Sequence, residues 1–156
     1  MVRFARKEDA EAVNALRKEV NDLHVQGRPD LFKPGFGTEL KQHVLAYLEE
    51  NENCYAAVEE QEGRIRGMVM VDYIRRPEGP YSYERAFCHI AEICVAEAFR
   101  RQGVGKALMD FVKEDAREKG FQRIELDVWS FNDALSFYEA EGFTVFRRFL
   151  EWNAKT

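Results

Sequence analysis

Two spacings of apolar residues alternate along the chain and separate expected helices from expected strands. Apolar positions three and four residues apart predict amphipathic helices. Alternating or continuous apolar runs rich in β-branched and aromatic types predict strands. The helices are expected from residue 8 or 9 to 26, from 38 to about 51, from 105 to 119, and between 132 and 142. The strands are expected at residues 2–5, 54–58, 66–74, 87–95, 124–128 and 143–152.

This order of elements predicts the fold class. Strands joined by hairpins and strands joined through helices occur in the same chain, which indicates an α/β protein (α+β mixed sheet) with helices on both faces.

The chain of 156 residues is long enough for one domain with its own core, so we expect a single domain over 1–156. The loop at residues 30–37 carries Leu31, Phe32 and Phe36, which either line a substrate mouth or fold back onto the core.

Composition and charge narrow the class of protein. Hydrophobic residues make up 46% of the chain, which favours a folded state. The net charge of −5 argues against a nucleic-acid partner. No apolar run approaches the length of a membrane span and no signal-peptide pattern occurs, so we expect no membrane partner and a cytoplasmic location.

Cysteine and histidine residues give no metal or disulfide signature. The three cysteines, Cys54, Cys88 and Cys94, have no C-x-x-C spacing, and buried structural thiols are the simplest interpretation. His24, His43 and His89 are scattered and form no H-x-x-H or H-E-x-x-H motif. We therefore expect no metal site.

The stretch from residue 100 to 106 predicts an anion site. It reads R-R-Q-G-V-G-K and lies between a strand and an amphipathic helix, where unpaired N–H groups and added cations favour phosphate. A P-loop is excluded because Arg100 stands where its first glycine belongs and Ala107 where Ser or Thr should follow the lysine. A dinucleotide fingerprint is excluded because Leu108 replaces its third glycine.

The remaining pattern, R-x-x-G-x-G, resembles the acyl-CoA pyrophosphate loop of the GNAT N-acetyltransferase superfamily. A second segment, N-D-A-L-S-F-Y-E-A-E-G-F from residue 132 to 143, is similar to the other GNAT signature. The two motifs occur in the order of that fold, with matching elements between them. The resemblance covers nearly the whole chain and implies a central mixed sheet of six to seven strands.

The resemblance also implies acetyl-CoA as the acetyl donor. The loop N–H groups would hold its pyrophosphate, and the strand before the loop, separated from its neighbour, would pair with the pantetheine arm. The residues so implied in cofactor binding are Ile93, Cys94, Val95, Arg100, Arg101, Gln102, Gly103, Val104, Gly105, Lys106, Asn132 and Tyr138.

The catalytic residues follow from the same resemblance. Tyr138 corresponds to the tyrosine that commonly protonates the leaving sulfur. An amine near pKa ~10 must lose a proton before it attacks, and Glu92, Asp127 or a water without a dedicated base are the alternatives for that step, in this order. We do not expect Cys94 to carry the acetyl group covalently, because no neighbour in sequence activates it.

The expected activity is direct transfer of acetyl from acetyl-CoA to the primary amine of a small molecule. The alternatives are a protein or peptide acetyltransferase acting on an N-terminus or lysine, and a non-catalytic acyl-CoA-sensing module. Loops choose the acceptor in this superfamily, so the sequence does not name it. Apolar residues in the last expected strand suggest a homodimer as a further hypothesis.

Overall fold

A five-stranded sheet organises the protein, and the computed structural model describes residues 1–156. The strands are β1 (Val2–Phe4), β2 (Cys54–Gln61), β3 (Arg64–Arg76), β4 (Arg85–Val95) and β5 (Ile124–Glu125). The α-helices are α1 (Ala10–Gly27), α2 (Thr38–His43), α3 (Val104–Glu118) and α4 (Leu135–Ala140). Short 3-10 helices lie at Lys7–Asp9, Val44–Leu48 and Glu97–Phe99.

The strands lie in the sheet in their sequence order. Strands β1 to β4 are antiparallel neighbours, and β5 pairs parallel with β4 after the crossover through α3. Helix α1 and the 3-10 helix Val44–Leu48 cover one face of the sheet, called here the α1 face. Helix α3 and Tyr138 of α4 pack on the opposite face, called here the α3 face. The predicted mixed sheet with helices on both faces is confirmed.

The hairpin between β2 and β3 closes through a two-residue turn. Glu62 and Gly63 both have positive φ, 52° and 74°. Two successive positive φ values are the signature of the type I′ turn, whose twist matches that of the flanking strands. The turn therefore sets the register in which Gln61 pairs with Arg64.

The sheet has five strands, fewer than the six to seven that the resemblance implied. Residues 143–152 were expected to close the sheet, but they pair with no strand. Their apolar side chains stay outside, with Phe149 82%, Leu150 92% and Trp152 88% exposed. A strand needs a neighbouring edge as well as suitable residues, and β5 offers an edge only two residues long.

The predicted helix over residues 38–51 is divided in two. Helix α2 ends at His43, and the chain tightens into the 3-10 helix Val44–Leu48. This turn buries Val44, Tyr47 and Leu48 against the sheet. It thereby brings the Tyr47 hydroxyl within 2.6 Å of the Asp72 carboxylate on β3.

Candidate acyl-CoA site

The loop before α3 leaves a row of main-chain N–H groups without acceptors. Arg101 and Gly103 have positive φ, 62° and 82°, which turns the chain sharply into the helix. The first helical hydrogen bond is donated by the Ala107 N–H to the Gly103 carbonyl, at 3.0 Å. The N–H groups of residues 102–106 therefore have no acceptor within the protein. With the helix dipole behind them, they form a site suited to an anion.

Two of the three cations beside this loop have partners within the protein, and the third has none. Lys106 binds Asp110 one turn along α3, with 2.8 Å between Nζ and Oδ2. Arg100 Nε donates to the Val95 carbonyl at 3.3 Å. Arg101 is exposed and has no carboxylate or other acceptor within hydrogen-bond distance. Arg101 is thus the cation most readily available to a phosphate.

The two glycines of the loop serve different purposes. Gly103 has the left-handed conformation that side chains rarely adopt, and nothing lies within 4 Å of a Cβ built there. A Cβ on Gly105 would meet the Phe137 ring of α4 at 3.3 Å. Gly103 therefore makes the turn, whereas Gly105 allows α4 to pack on the first turn of α3.

Strand β4 has one open edge, next to this loop. Its pairing with β5 is limited to Cys88 with Ile124 and His89 with Glu125, and the strands separate beyond that point. The Ala96 N–H donates to the Arg66 carbonyl of β3. Because main-chain groups alternate along a strand, those of Cys94 also point to β3 and those of Ile93 and Val95 point to the open edge.

A bulge in β4 changes which residues share a face. Met70 pairs with Glu92 but Val71 pairs with Ile90, so Ala91 is an extra residue. Glu92 was expected to share a face with both Ile90 and Cys94. The bulge separates them, because Ile90 packs in the core of the α3 face and Cys94 in that of the α1 face. Glu92 lies on the α1 face, where it contacts Arg17 of α1.

A cavity of about 730 Å³ lies where β4 and β5 separate, and it is called here the edge cavity. Its volume is within the range of small-molecule sites. Tyr138, Asn132 and Asp127, all predicted site residues, border it together with His89. Glu92 does not border it.

Tyr138 is 8% exposed and packs between the rings of Phe137 and Phe143. Burial raises the pKa of Tyr138 to about 12, so the phenol keeps its proton at neutral pH. Asn132 lies three residues before the first residue of α4; its Oδ1 accepts the Ala134 N–H at 2.9 Å and shapes the turn ahead of the helix.

The two predicted carboxylates have different surroundings. Glu92 Oε2 accepts a hydrogen bond from Nε of Arg17 at 2.8 Å, and Arg17 is only 3% exposed. Asp127 is 69% exposed at its side chain and lies 3.9 Å from His89, measured from Oδ2 to Nε2. The guanidinium compensates the charge of Glu92, whereas Asp127 faces the edge cavity.

His89, Asp72 and Arg17 are polar residues of this region that the sequence did not single out. His89 was judged only for metal motifs, and its partner Asp72 lies on a different strand. In the sequence, Arg17 is indistinguishable from the other polar residues of an amphipathic helix. A histidine two residues before Ala91 in an otherwise apolar strand was the available signal for His89.

Cys94 is buried, as expected for a structural thiol. Burial raises its pKa to about 12, and the nearby carboxylate of Glu19 adds to the increase. A thiol with so high a pKa holds very little thiolate at neutral pH. The environment therefore supports the expectation that Cys94 does not carry the acetyl group.

Aromatic side chains close one end of the α1 face. The Phe32 ring stacks on His24 at 5.0 Å and meets Trp129 edge-on at 5.3 Å. Trp129 in turn stacks on Phe131 at 5.9 Å. Of the loop residues whose position the sequence left open, Phe32 and Phe36 fold back, the latter onto Arg17, while Leu31 stays 54% exposed.

Two classes of feature are absent. No group of three or more His, Cys, Asp or Glu side chains is arranged to hold a metal ion. None of the helices has the length and apolar character required to span a bilayer.

Comparison with known proteins identifies the family. A sequence model described as the acetyltransferase (GNAT) family matches residues 17–143. N-acetyltransferase 8 of Homo sapiens is 27% identical over 107 residues, which are 68% of this chain and 45% of that protein. The chain thus matches less than half the length of this curated relative.

Solved structures show the same fold. A mutant of the BH1408 protein from Bacillus halodurans superposes with a TM-score of 0.93 at 26% identity, over 98% of each chain. Aminoglycoside N-acetyltransferase AAC(6')-Iy, in complex with a bisubstrate analogue of CoA and acetylneamine, superposes with a TM-score of 0.74 at 18% identity, over 98% of this chain and 96% of that one. Because the family model spans most of its length, this chain belongs to the GNAT acetyltransferase family.

Proposed function

We propose that the protein is an N-acetyltransferase that moves the acetyl group of acetyl-CoA directly to the primary amine of a small molecule. The observation that carries this proposal is the open edge of β4. It begins at the edge cavity, beside Tyr138, and ends at the loop whose N–H groups have no acceptor. A CoA molecule laid along this edge would have its pyrophosphate on the loop and its thioester at the cavity.

The main-chain groups suit the pantetheine arm. Those of Ile93 and Val95 point to the open edge and would pair with the amides of the arm as a further strand would. Family membership and the complexes of AAC(6')-Iy with CoA and with a bisubstrate analogue support acetyl-CoA as the donor. In this arrangement Tyr138 would protonate the departing thiolate, because its phenol is protonated at neutral pH.

The size of the acceptor site favours a small molecule over a protein. Phe32 and Trp129 close one end of the α1 face, and the edge cavity of about 730 Å³ is large enough for a drug-sized molecule. Aminoglycosides are acetylated by structural relatives according to their names, which supports an amine acceptor of this size. A screen of amines, lysine peptides and N-terminal peptides that detects thiol release would decide among acceptors, and turnover of peptides alone would favour the protein acetyltransferase.

Acetyl-CoA should raise the melting temperature of the wild-type protein, and Gly103→Asp should abolish this shift. A ligand that binds only the folded state stabilises it by about 2.7 kcal/mol at a hundred times its Kd. The aspartate adds a negative charge where the pyrophosphate would lie. Thermal melts of each variant over a series of acetyl-CoA concentrations provide the measurement.

Gly103→Asn is the matched control, because asparagine has nearly the same size, no charge, and tolerates the left-handed conformation. It should retain part of the shift. If the wild type showed no shift at millimolar acetyl-CoA, the assignment of this loop as the pyrophosphate site would be wrong.

We also propose a homodimer, on the basis of the unpaired segment at residues 143–152. Exposed apolar side chains in a cluster commonly mark an interface between proteins, and Phe149 and Trp152 are more than 80% exposed. Sedimentation velocity at micromolar concentration should give the mass of a dimer. The variant with Phe149→Ser and Trp152→Ser should sediment as a monomer; a monomeric wild type would contradict the proposal.

A further inference from the structure

His89 lies at the point where β4 and β5 stop pairing. Its partner across the sheet is Glu125, the last residue of β5. The side chain is on the α1 face, one third exposed, and borders the edge cavity together with Tyr138. His89 therefore lies where the gap between β4 and β5 begins, and the thioester would lie in this gap.

Two carboxylates flank the imidazole. Nδ1 lies 3.7 Å from Oδ2 of Asp72 on β3, and Nε2 lies 3.9 Å from Oδ2 of Asp127. Asp72 is fixed from behind, because its Oδ1 accepts the Tyr47 hydroxyl at 2.6 Å. Asp127 is held by no other side chain and is largely exposed. Nδ1 thus faces a fixed carboxylate, and Nε2 faces a free one at the cavity.

The other charged groups near His89 are already paired or more distant. Glu125 binds Arg85 and lies 3.5 Å from Arg123 Nε. His43 lies behind Asp72, with its ring 5.8 Å from that of Tyr47. The carboxylate of Asp72 raises the pKa of His89 above its ordinary value, burial opposes this increase, and the charges of Asp127 and Glu125 add to it. The carboxylates around the imidazole therefore favour its holding a proton once it has accepted one.

Glu92 is less suited to accept a proton from an amine in the cavity. Its Oε2 is bound by Arg17, and the residue does not border the edge cavity. Its carboxylate is better explained as the partner of a buried guanidinium. His89 has no such competing cation.

We propose that His89, oriented by Asp72, is the group that accepts the proton of the acceptor ammonium. The inference rests on the proposed acetyltransferase function. Nε2 takes one proton from the R–NH₃⁺ group, and the free R–NH₂ attacks the thioester carbonyl carbon. The C–N bond forms, the C–S bond breaks, and the second proton of the nitrogen is the one that restores Tyr138 after the phenol has protonated the thiolate. Tyr138 supplies a proton to the thiolate and is reprotonated, so that one proton is released overall, from His89 to solvent.

The test is the pH dependence of kcat/KM with the best amine from the thiol-release screen. In the wild type the rate should rise with pH through the pKa of His89, because only the neutral imidazole accepts a proton. His89→Gln should lower kcat by roughly 100- to 10,000-fold. It should also remove the rise of the rate with pH, called here the acid limb of the profile. Asp72→Asn should move the limb to lower pH, since the carboxylate that raises the pKa is gone.

Glu92→Gln separates the two candidate bases. It should keep the acid limb at its wild-type pH, whatever its effect on the rate. A limb that survives in His89→Gln, or that is lost in Glu92→Gln and kept in His89→Gln, would overturn the inference. An acetyl-CoA thermal shift equal to that of the wild type checks that each variant is folded.

A second measurement does not depend on activity. In NMR titrations of the free protein, the imidazole of His89 should have a higher midpoint than that of His24, whose pKa is lowered by burial. Asp72→Asn should lower the His89 midpoint. An unchanged midpoint would overturn the role given to Asp72. If no amine is acetylated at all, the proposed function fails; if amines are acetylated with no effect at His89, this inference alone fails.

Discussion

Replacing Tyr138 by phenylalanine should lower kcat by roughly 100- to 10,000-fold, the usual range for loss of a general acid or base. The change removes one hydroxyl and little volume from a side chain that is 8% exposed. No side-chain hydrogen bond of Tyr138 is lost, because the structure contains none. The fold and the thermal shift by acetyl-CoA should therefore remain, and steady-state kinetics with the screened amine measures the loss in kcat.

Tyr73→Phe is the matched control and should have the opposite result. Its hydroxyl donates to Asp115 at 2.6 Å in the core of the α3 face. Removing it leaves a buried carboxylate short of one donor, at a cost of about 1 to 3 kcal/mol in the free energy of unfolding, but kcat should not change. Near-normal turnover of Tyr138→Phe with its true acceptor would show that Tyr138 does not protonate the thiolate and only packs in the core.

Arg17→Ala should lower the free energy of unfolding by about 3 to 5 kcal/mol, as when one partner of a buried ion pair is removed. Arg17 connects three parts of the α1 face. It donates to Glu92 on β4, to Asn14 in its own helix, and to the Leu40 carbonyl of α2. The side chain of Glu92 is 24% exposed, so solvent compensates part of its charge and the lower end is expected. Urea denaturation monitored by circular dichroism gives the value.

Lys18→Ala provides the comparison at the next position of the same helix. Lys18 binds Asp22 at 2.7 Å, but both side chains are more than half exposed. Such pairs contribute about 0 to 1 kcal/mol. Replacing both members of the buried pair, Arg17→Met with Glu92→Leu, should recover much of the loss because no unpaired charge remains. Equal effects of Arg17→Ala and Lys18→Ala would contradict the buried pair.

Features that depend on neighbouring residues in the chain could be predicted from the sequence. The turn into α3 needs a positive φ that Gly103 supplies, and the hairpin at Glu62 and Gly63 needs two. The apolar period of residues 105–119 predicted α3, which the structure has at Val104–Glu118. Together with the segment around Tyr138 these local signals were enough to indicate the family, because the loop and helix that would hold a CoA pyrophosphate are continuous in sequence.

Features that depend on which strand lies beside which required the three-dimensional structure. Residues 143–152 have the composition of a strand, but no local signal could show that β5 ends at Glu125 and leaves them unpaired. The bulge at Ala91 adds one residue to β4 and moves Glu92 to the opposite face from Ile90.

The ion pairs that distinguish the candidate general bases also required the three-dimensional structure. Glu92 resembles a free carboxylate in the sequence, because its partner Arg17 is 75 positions away. His89 resembles an isolated histidine, because Asp72 and Asp127 reach it from the strand beside β4 and from the segment after β5. The chain by itself determined the family and the candidate cofactor loop through short-range signals. The pairing of charges across the sheet was decided by tertiary contacts, since electrostatic interaction depends on distance in space and not on separation along the chain.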